Sequence, residues 1–189
     1  DDSSEMSGSM VDDWDCDGVS AGFDCDDQDP YFRSNILDLN CDGIYDVSIL
    51  DAGYFQSVAL DMSKSISFWG TTSFGLSNYP SGTYTRVSNG YGHSCAIDHL
   101  DHLHCWGLDD DGQTSVSNTE FSQVSCGDRH TCALNHEGGV ECWGYTEAVH
   151  GVPELDTFTA VSAGDDFSCA IEHNGQVHCW GNNFGGKSN

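Results

Sequence analysis

The sequence predicts an all-β chain in which four copies of one short antiparallel unit follow one another. Tryptophan recurs at a constant spacing of 37 residues and is followed by glycine each time. A further glycine and an alanine keep the same spacing in every copy, and three copies share a pair of cysteines. A period this strict is typical of proteins that stack one supersecondary unit repeatedly. The recurring tryptophans are Trp69, Trp106, Trp143 and Trp180.

The cysteine pairs indicate a hairpin. Cys95 and Cys105 lie at equal distances from a turn, and apolar residues alternate along both flanks with the period of two that strands require. Facing positions of such a hairpin bring their Cβ atoms to about 4.5–5.5 Å, which is near disulfide reach. The first copy replaces both cysteines together, by Val58 and Phe68, so the two positions behave as a pair. We predict three cross-strand disulfides, the alternative being buried thiols: Cys95–Cys105, Cys132–Cys142 and Cys169–Cys179.

The same symmetry predicts which apolar residues face each other and where the copies begin and end. The first copy lacks the cysteines and has Gln56 where the next two have histidine, which is typical of an atypical terminal repeat. The predicted facing pairs are Leu60 and Ile66, Ile97 and Leu103, Leu134 and Val140, and Ile171 and Val177. The predicted copies are 47–83, 84–120, 121–157 and 158–189.

The amino-acid sequence of the repeat resembles the regulator-of-chromosome-condensation family of β-propeller repeats. The matching stretch runs from Val87 to Ile97 and continues at Cys105–Gly107, and the third and fourth copies repeat it. The resemblance covers about three quarters of the chain and implies that each copy is one propeller blade. Its spacing is nearer the compact bacterial versions, such as secreted β-lactamase-inhibitor propellers. The family usually closes a ring with more than four blades, so the resemblance implies an open or incomplete propeller. An incomplete propeller has three possible explanations. The chain is a piece of a longer one, it forms an open arc, or other subunits complete its sheets.

The acidic N-terminal region predicts a loop-rich calcium module at 13–46. Residues 1–46 hold 14 of the 31 acidic side chains and one base, Arg33. The stretch 13–24 follows the twelve-residue DxDxDG calcium loop, and 38–46 repeats part of it. Calcium takes six to eight oxygen ligands, which this spacing places around one point. The module resembles thrombospondin type 3 repeats more than a paired-helix sensor; the alternative is a solvated acidic linker.

The predicted Ca²⁺ ligands fall into three groups. The first loop offers Asp13, Asp15, Asp17, the Val19 carbonyl and Asp24; the second offers Asp38, Asn40, Asp42, the Ile44 carbonyl and Asp46; and the linker between them offers Asp26, Asp27 and Asp29.

Two features of the sequence around the module each allow more than one interpretation. Residues 1–12 are polar and acidic, and we expect either a flexible leader or an arm that docks on a neighbouring subunit. Cys16, Cys25, Cys41 and Cys126 allow three pairings. Cys126 has no counterpart in the other copies, so it either clamps the module to the repeats, stays free or joins another subunit.

Composition points to a secreted or cell-surface protein. Ten cysteines in 189 residues are typical of an oxidising compartment. A formal net charge of −26 argues against nucleic acid and anionic membrane as partners, and in favour of bound cations. No apolar run approaches the roughly 20 residues that a membrane-spanning helix needs, so we expect no membrane insertion.

No catalytic constellation stands out. The histidines at 93 and 130 are replaced by Gln56 and Phe167 in the other copies, which favours packing or hydrogen bonding over catalysis. The histidines at 99, 136 and 173 lie in the predicted turns and also recur every 37 residues. They are either exposed polar residues of these turns or the ligands of a ring of metal sites. We expect a structural or interaction protein that self-associates into an oligomer or filament. The alternatives are a propeller that binds or inhibits another extracellular protein and, less favoured, a hydrolase or lyase.

Overall fold

The structure is a computed structural model that describes residues 47–117 and 119–188. The predicted leader at 1–12 and calcium module at 13–46 lie outside these residues, together with every predicted calcium ligand and Cys16, Cys25 and Cys41. None of the described residues forms a helix that is long and apolar enough to cross a membrane.

The described chain is all-β, and each repeat forms one blade. Every blade is a three-stranded antiparallel sheet whose strands lie in the order of the sequence. A single 3-10 turn, Ser73–Gly75, follows the first blade. The strands are β1 Val47–Ala52, β2 Gln56–Asp61 and β3 Ile66–Gly70; β4 Tyr84–Asn89, β5 His93–Asp98 and β6 Leu103–Gly107; β7 Phe121–Cys126, β8 His130–Asn135 and β9 Val140–Gly144; and β10 Phe158–Ala163, β11 Phe167–Glu172 and β12 Val177–Gly181.

The hairpin between the second and third strands of each blade has the predicted register. Leu60 faces Ile66 in the first blade, and the three equivalent pairs face each other in the later blades. The second, third and fourth blades each carry the cross-strand disulfide at the expected place, Cys95–Cys105, Cys132–Cys142 and Cys169–Cys179. Each disulfide therefore ties the middle strand of a blade to its third strand, and none of the three links two blades.

Neighbouring blades stack through two unlike apolar faces. The face that a blade turns to the following blade, here called the forward face, carries the cysteine pair and the two facing aliphatic residues. The face turned to the preceding blade, the rear face, carries the tryptophan, an alanine and a valine. In the first interface Val58, Leu60 and Ile66 pack against Val87, Ala96 and Trp106. The next two interfaces repeat this arrangement, so the core is a series of separate clusters between blades.

Two rows of repeating glycines are required for different physical reasons. Gly70, Gly107, Gly144 and Gly181 have φ between 93° and 130°, a backbone region in which glycine has no steric penalty. The other row follows the first strand of each blade. A Cβ atom added to Gly90 would overlap the carbonyl oxygen of Gly127, and one added to Gly127 would overlap that of Gly164. Close approach of successive blades thus requires glycine in the second row.

Candidate interaction surfaces

A ladder of buried polar side chains joins successive blades. Gln56, His93 and His130 occupy equivalent positions at the start of the middle strands and are almost fully buried. Each one reaches a hydroxyl of the following blade: Gln56 Nε2 to Ser94 Oγ at 3.3 Å, His93 Nε2 to Thr131 Oγ1 at 2.9 Å, and His130 Nε2 to Ser168 Oγ at 2.7 Å. The hydrogen-bonding role expected for the two histidines is what the structure shows. Gln56 replaces the histidine in the first copy. Its side chain makes the equivalent hydrogen bond to the next blade.

The chemistry of the ladder is structural. The Thr131 hydroxyl donates to the Gln113 carbonyl oxygen at 2.9 Å, so it accepts from His93 Nε2 and the ring is protonated on that nitrogen. Burial lowers the pKa of both His93 and His130 to about 4. Both rings are therefore neutral at pH 7, and their Nδ1 atoms are buried without a hydrogen-bond partner. The two buried neutral rings hold successive blades together through their Nε2 hydrogen bonds.

One group of potential metal ligands occurs among the described residues, between the second and third blades. A ring nitrogen of His93 and the sulfur atoms of Cys95 and Cys126 lie within 4.8 Å of one another. Cys95 is held in its disulfide. Cys126 is a free, buried thiol that donates to the Ser88 carbonyl oxygen at 3.4 Å, and burial raises its pKa to about 12. With one sulfur oxidised and the other protonated, the group offers no thiolate to a metal.

Four of the other histidines make local contacts outside the ladder. His136 Nε2 lies 2.9 Å from Asp101, His104 Nε2 lies 3.0 Å from Asp98, and His178 Nε2 lies 3.1 Å from Glu172. His99 Nδ1 lies 3.5 Å from the Thr83 hydroxyl. Among the described residues, the one group of potential metal ligands contains none of the turn histidines at 99, 136 and 173, so these residues do not form the metal ring that was one of the two sequence-based alternatives.

A groove runs along the loops that follow the first strands of the four blades. Its volume is about 520 Å³, and the glycines at 53, 90, 127 and 164 are among the residues that line it. Tyr54 and Tyr91 line one end with ring centroids 4.8 Å apart. Asp128 and Asp165 line the other end. Burial raises the pKa of Asp128, and the neighbouring Asp165 carboxylate adds to this. The groove thus combines an aromatic half with an acidic half.

The groove was not predicted from sequence, although a signal for it is present. The residue after each repeating glycine is tyrosine in the first two copies and aspartate in the last two. Only the stacking of blades places these four positions along one line.

The forward face of the fourth blade is uncovered among the described residues. Ile171 is 45% exposed and Val177 is 62% exposed, whereas the equivalent Ile97 and Leu103 of the second blade are 1% and 7% exposed. The two cysteines of this blade are half-buried. The fourth blade therefore presents to solvent the same kind of surface that a neighbouring blade covers three times in this chain.

Comparison with known proteins agrees with this architecture. Residues 121–147 and 158–186 match the model of the regulator of chromosome condensation (RCC1) repeat. No curated protein sequence matches the chain. Among solved structures, the CRINKLY WD40 ectodomain of the Arabidopsis thaliana receptor kinase ACR4 is similar at 26% identity with a TM-score of 0.61, over 71% of this chain and 49% of that one.

Two further structures share the fold at lower identity. Yeast RCC1 (Prp20), solved bound to Kap60, has 18% identity and a TM-score of 0.62 over 72% of this chain and 44% of that one. Human WBSCR16 has 17% identity and a TM-score of 0.63 over 71% of this chain and 47% of that one. The chain spans about half of the length of each of these structures. Residues 121–147 and 158–186 are therefore similar to repeats of the regulator-of-chromosome-condensation type, and the described residues fold as blades of a β-propeller.

Proposed function

We propose that this chain is a secreted or cell-surface interaction protein, stabilised by calcium, which associates with copies of itself into an oligomer or filament. The observation that carries the proposal is that none of the described residues covers the forward face of the fourth blade, where Ile171 and Val177 are exposed to solvent. Exposed apolar surface that matches an internal interface is a strong driver of association. An interaction role rather than a catalytic one fits the described residues, in which the buried histidines join blades.

The disulfides support an extracellular location. Three of the four blades carry a cross-strand disulfide, and such bonds persist in oxidising compartments. Yeast RCC1, which shares the fold, was solved bound to the protein Kap60. We carry only the general property, the binding of a protein partner, to this chain.

The purified protein is expected to form assemblies larger than a monomer. Sedimentation velocity over a wide concentration series, together with negative-stain electron microscopy, measures this directly. Oligomers or filaments that grow with concentration would support the proposal. A monodisperse monomer throughout the series would contradict it.

Removing calcium is expected to lower the melting temperature and to disorder residues 13–46. Binding to the folded state alone stabilises it by about 2.7 kcal/mol at a free calcium concentration about 100-fold above Kd, and without the ion the clustered carboxylates repel one another. Melting curves with EGTA, and after calcium is restored, test this.

Two variants distinguish the loss of predicted calcium ligands from the loss of negative charge elsewhere in the chain. D15N/D17N changes two predicted ligands, whereas D110N changes one aspartate in an exposed turn of the second blade. Only D15N/D17N should reproduce the effect of EGTA. Identical melting curves with and without EGTA would show that calcium has no stabilising role.

The alternative function, binding or inhibition of another extracellular protein, is favoured by the groove. Tyrosines at one end of the groove and carboxylates at the other end suit a protein partner that presents lysine or arginine side chains. Y54A/Y91A is expected to reduce capture of such a partner from extracellular fractions at least tenfold, while F184A, which removes an aromatic ring that is 83% exposed elsewhere, leaves it unchanged. Equal capture by both variants would exclude the groove as the binding surface.

A further inference from the structure

We infer that Cys126 exchanges with the neighbouring disulfide, so that the bond Cys95–Cys105 within the second blade is replaced by a bond Cys95–Cys126 between the second and third blades. Cys126 is the free cysteine of the described residues and is buried. The strands of both blades lie within the described residues, and the inference does not depend on the proposed self-association. It gives this thiol a role as a second disulfide partner for Cys95.

Cys126 is held against this disulfide by contacts with the second blade. Ser88 lies directly opposite Cys95 in the sheet of that blade, and it makes two hydrogen bonds with Cys126. The Cys126 backbone N–H donates to Ser88 Oγ at 3.0 Å, and the thiol donates to the Ser88 carbonyl oxygen at 3.4 Å. The sulfur atoms of Cys126 and Cys95 lie within 4.8 Å of each other. The attacking sulfur and the attacked sulfur are therefore already neighbours in the folded protein.

Of the two sulfur atoms in the disulfide, that of Cys95 is the one in position to change partner. Cys95 is fully buried and belongs, with Cys126, to the apolar cluster between the second and third blades. Cys105 packs against the same cluster but is only half-buried. The exchange therefore moves the free thiol from the buried Cys126 to the more accessible Cys105, on the third strand of the second blade. It also joins by a covalent bond two blades that are otherwise held by packing and hydrogen bonds.

The exchange needs no oxidant or reductant. The Cys126 thiol loses its proton, and the resulting thiolate attacks Cys95 Sγ and forms a new S–S bond. The bond between Cys95 and Cys105 breaks, its electron pair leaves on the sulfur of Cys105, and that thiolate takes up a proton. One disulfide and one thiol are present before and after the step, so only the partner of Cys95 changes.

Burial keeps the exchange slow at neutral pH. It raises the pKa of Cys126 to about 12, and only the thiolate attacks a disulfide. The titratable side chains near the thiol are His93 of the second blade, which is neutral at pH 7, and Asp51 of the first blade, whose carboxylate adds to the rise. Because the thiolate fraction increases about tenfold with each pH unit below the pKa, the exchange rate is expected to do the same.

The next joint of the chain supplies an internal control. Ala163 of the fourth blade occupies the position of Cys126. Cys132 of the third blade lies beside the Ser168 hydroxyl, with 3.3 Å between Sγ and Oγ, instead of beside a thiol. Among the described residues, the disulfide Cys132–Cys142 therefore has no thiol in place to attack it, although the hairpin that carries it is equivalent.

Disulfide mapping of the full chain tests the inference. The protein is incubated at pH 7, 8 and 9 below its melting temperature, quenched with acid, alkylated with a maleimide in denaturant, and digested without reduction. We expect mass spectrometry to find peptides joined through Cys95 and Cys126, with the alkyl group on Cys105. The initial rate at which this product forms should rise about tenfold per pH unit, while Cys132–Cys142 stays intact.

The variant C105S tests the geometry without depending on the rate of exchange. It leaves Cys95 and Cys126 as two thiols, and oxidised glutathione is expected to join them to each other. C142S is the matched control in the next blade, and we expect Cys132 to carry a glutathione adduct in this variant instead of a link to another blade. The first blade has Val58 and Phe68 at these positions and forms the same hairpin, so a blade folds without the disulfide.

Three results would overturn the inference. The first is an unmodified chain that keeps Cys95–Cys105 intact at pH 9, with the alkyl group on Cys126. The second is links from Cys126 to Cys132 or Cys142 that are as abundant as the link to Cys95, since these would indicate scrambling in unfolded molecules. The third is a bond from Cys126 to one of the N-terminal cysteines, at 16, 25 or 41. Circular dichroism establishes that C105S is folded, and if it is not, the pH series on the unmodified chain decides alone.

Discussion

Lowering the pH from 7 to about 4 is expected to destabilise the propeller by several kcal/mol, through the two buried histidines of the ladder. Burial lowers the pKa of His93 to about 4, and repulsion from a protonated His130 contributes to this. Burial likewise lowers the pKa of His130 to about 4. The folded protein keeps both rings neutral at pH values where the unfolded chain protonates them.

The sign follows from proton uptake. A histidine of an unfolded chain titrates near pH 6.5, so between pH 6.5 and 4 the unfolded state binds more protons than the folded state. The free energy of unfolding therefore falls as the pH falls through this window. Each ring accounts for about 3 kcal/mol, which is fully lost at pH values below about 4. The pKa of Asp128, raised by burial, works in the opposite direction but concerns a single, partly exposed carboxyl group.

The chain itself supplies the matched control. Gln56 makes the inter-blade hydrogen bond at the equivalent position, from its amide to Ser94, and it does not titrate. The variant H93Q/H130Q should therefore keep the contacts with the next blade and lose the dependence on pH. Urea unfolding of both proteins between pH 7 and 5, in excess calcium, measures the two slopes. Equal slopes would show that the histidines do not control acid stability.

Replacing Phe121 by alanine is expected to lower the free energy of unfolding by about 3–5 kcal/mol. Phe121 is 0% exposed and is the largest of the fully buried side chains in the described residues. It packs between the second and third blades beside Trp143, with ring centroids 6.0 Å apart. Alanine leaves a cavity at a joint, and a stacked repeat protein depends on each interface between neighbours.

Two control variants make this measurement specific. F184A removes an aromatic ring that is 83% exposed, and we expect a change within about 0.5 kcal/mol. F121L keeps most of the buried volume and should lose much less than F121A. Chemical denaturation of the three variants supplies the comparison, and equal losses for F121A and F184A would refute the assigned role of the joint.

The repeating unit could be predicted from sequence because its determinants are local. A hairpin places residues on opposite sides of one turn in contact, so Leu60 and Ile66, or Cys95 and Cys105, face each other at a spacing that the sequence shows directly. The joint loss of both cysteines in the first copy identifies the two positions as partners from the sequence alone. The calcium module at 13–46 remains a prediction, since it lies outside the described residues.

The role of the ladder could be predicted only in part. Histidine at 93 and 130, glutamine at 56 and phenylalanine at 167 indicated a position without catalytic function. The partner of each side chain lies 38 residues further along, in another blade, and nothing in the local pattern identifies it. For the same reason, comparison of the copies indicates a lost histidine function at Gln56, although its side chain makes an equivalent hydrogen bond to the next blade.

By itself, the sequence determined the unit: a tryptophan-bearing antiparallel hairpin, its register, its three disulfides and its fourfold repetition. These depend on the period-2 alternation of strands and on contacts across a single turn. Tertiary structure alone decided how the units meet, and therefore which apolar residues are covered and which are exposed. Ile97 and Ile171 occupy equivalent places in nearly identical hairpins, yet one is 1% and the other 45% exposed. The difference is that a following blade covers the first of them, and stacking between blades is a property that no single hairpin encodes.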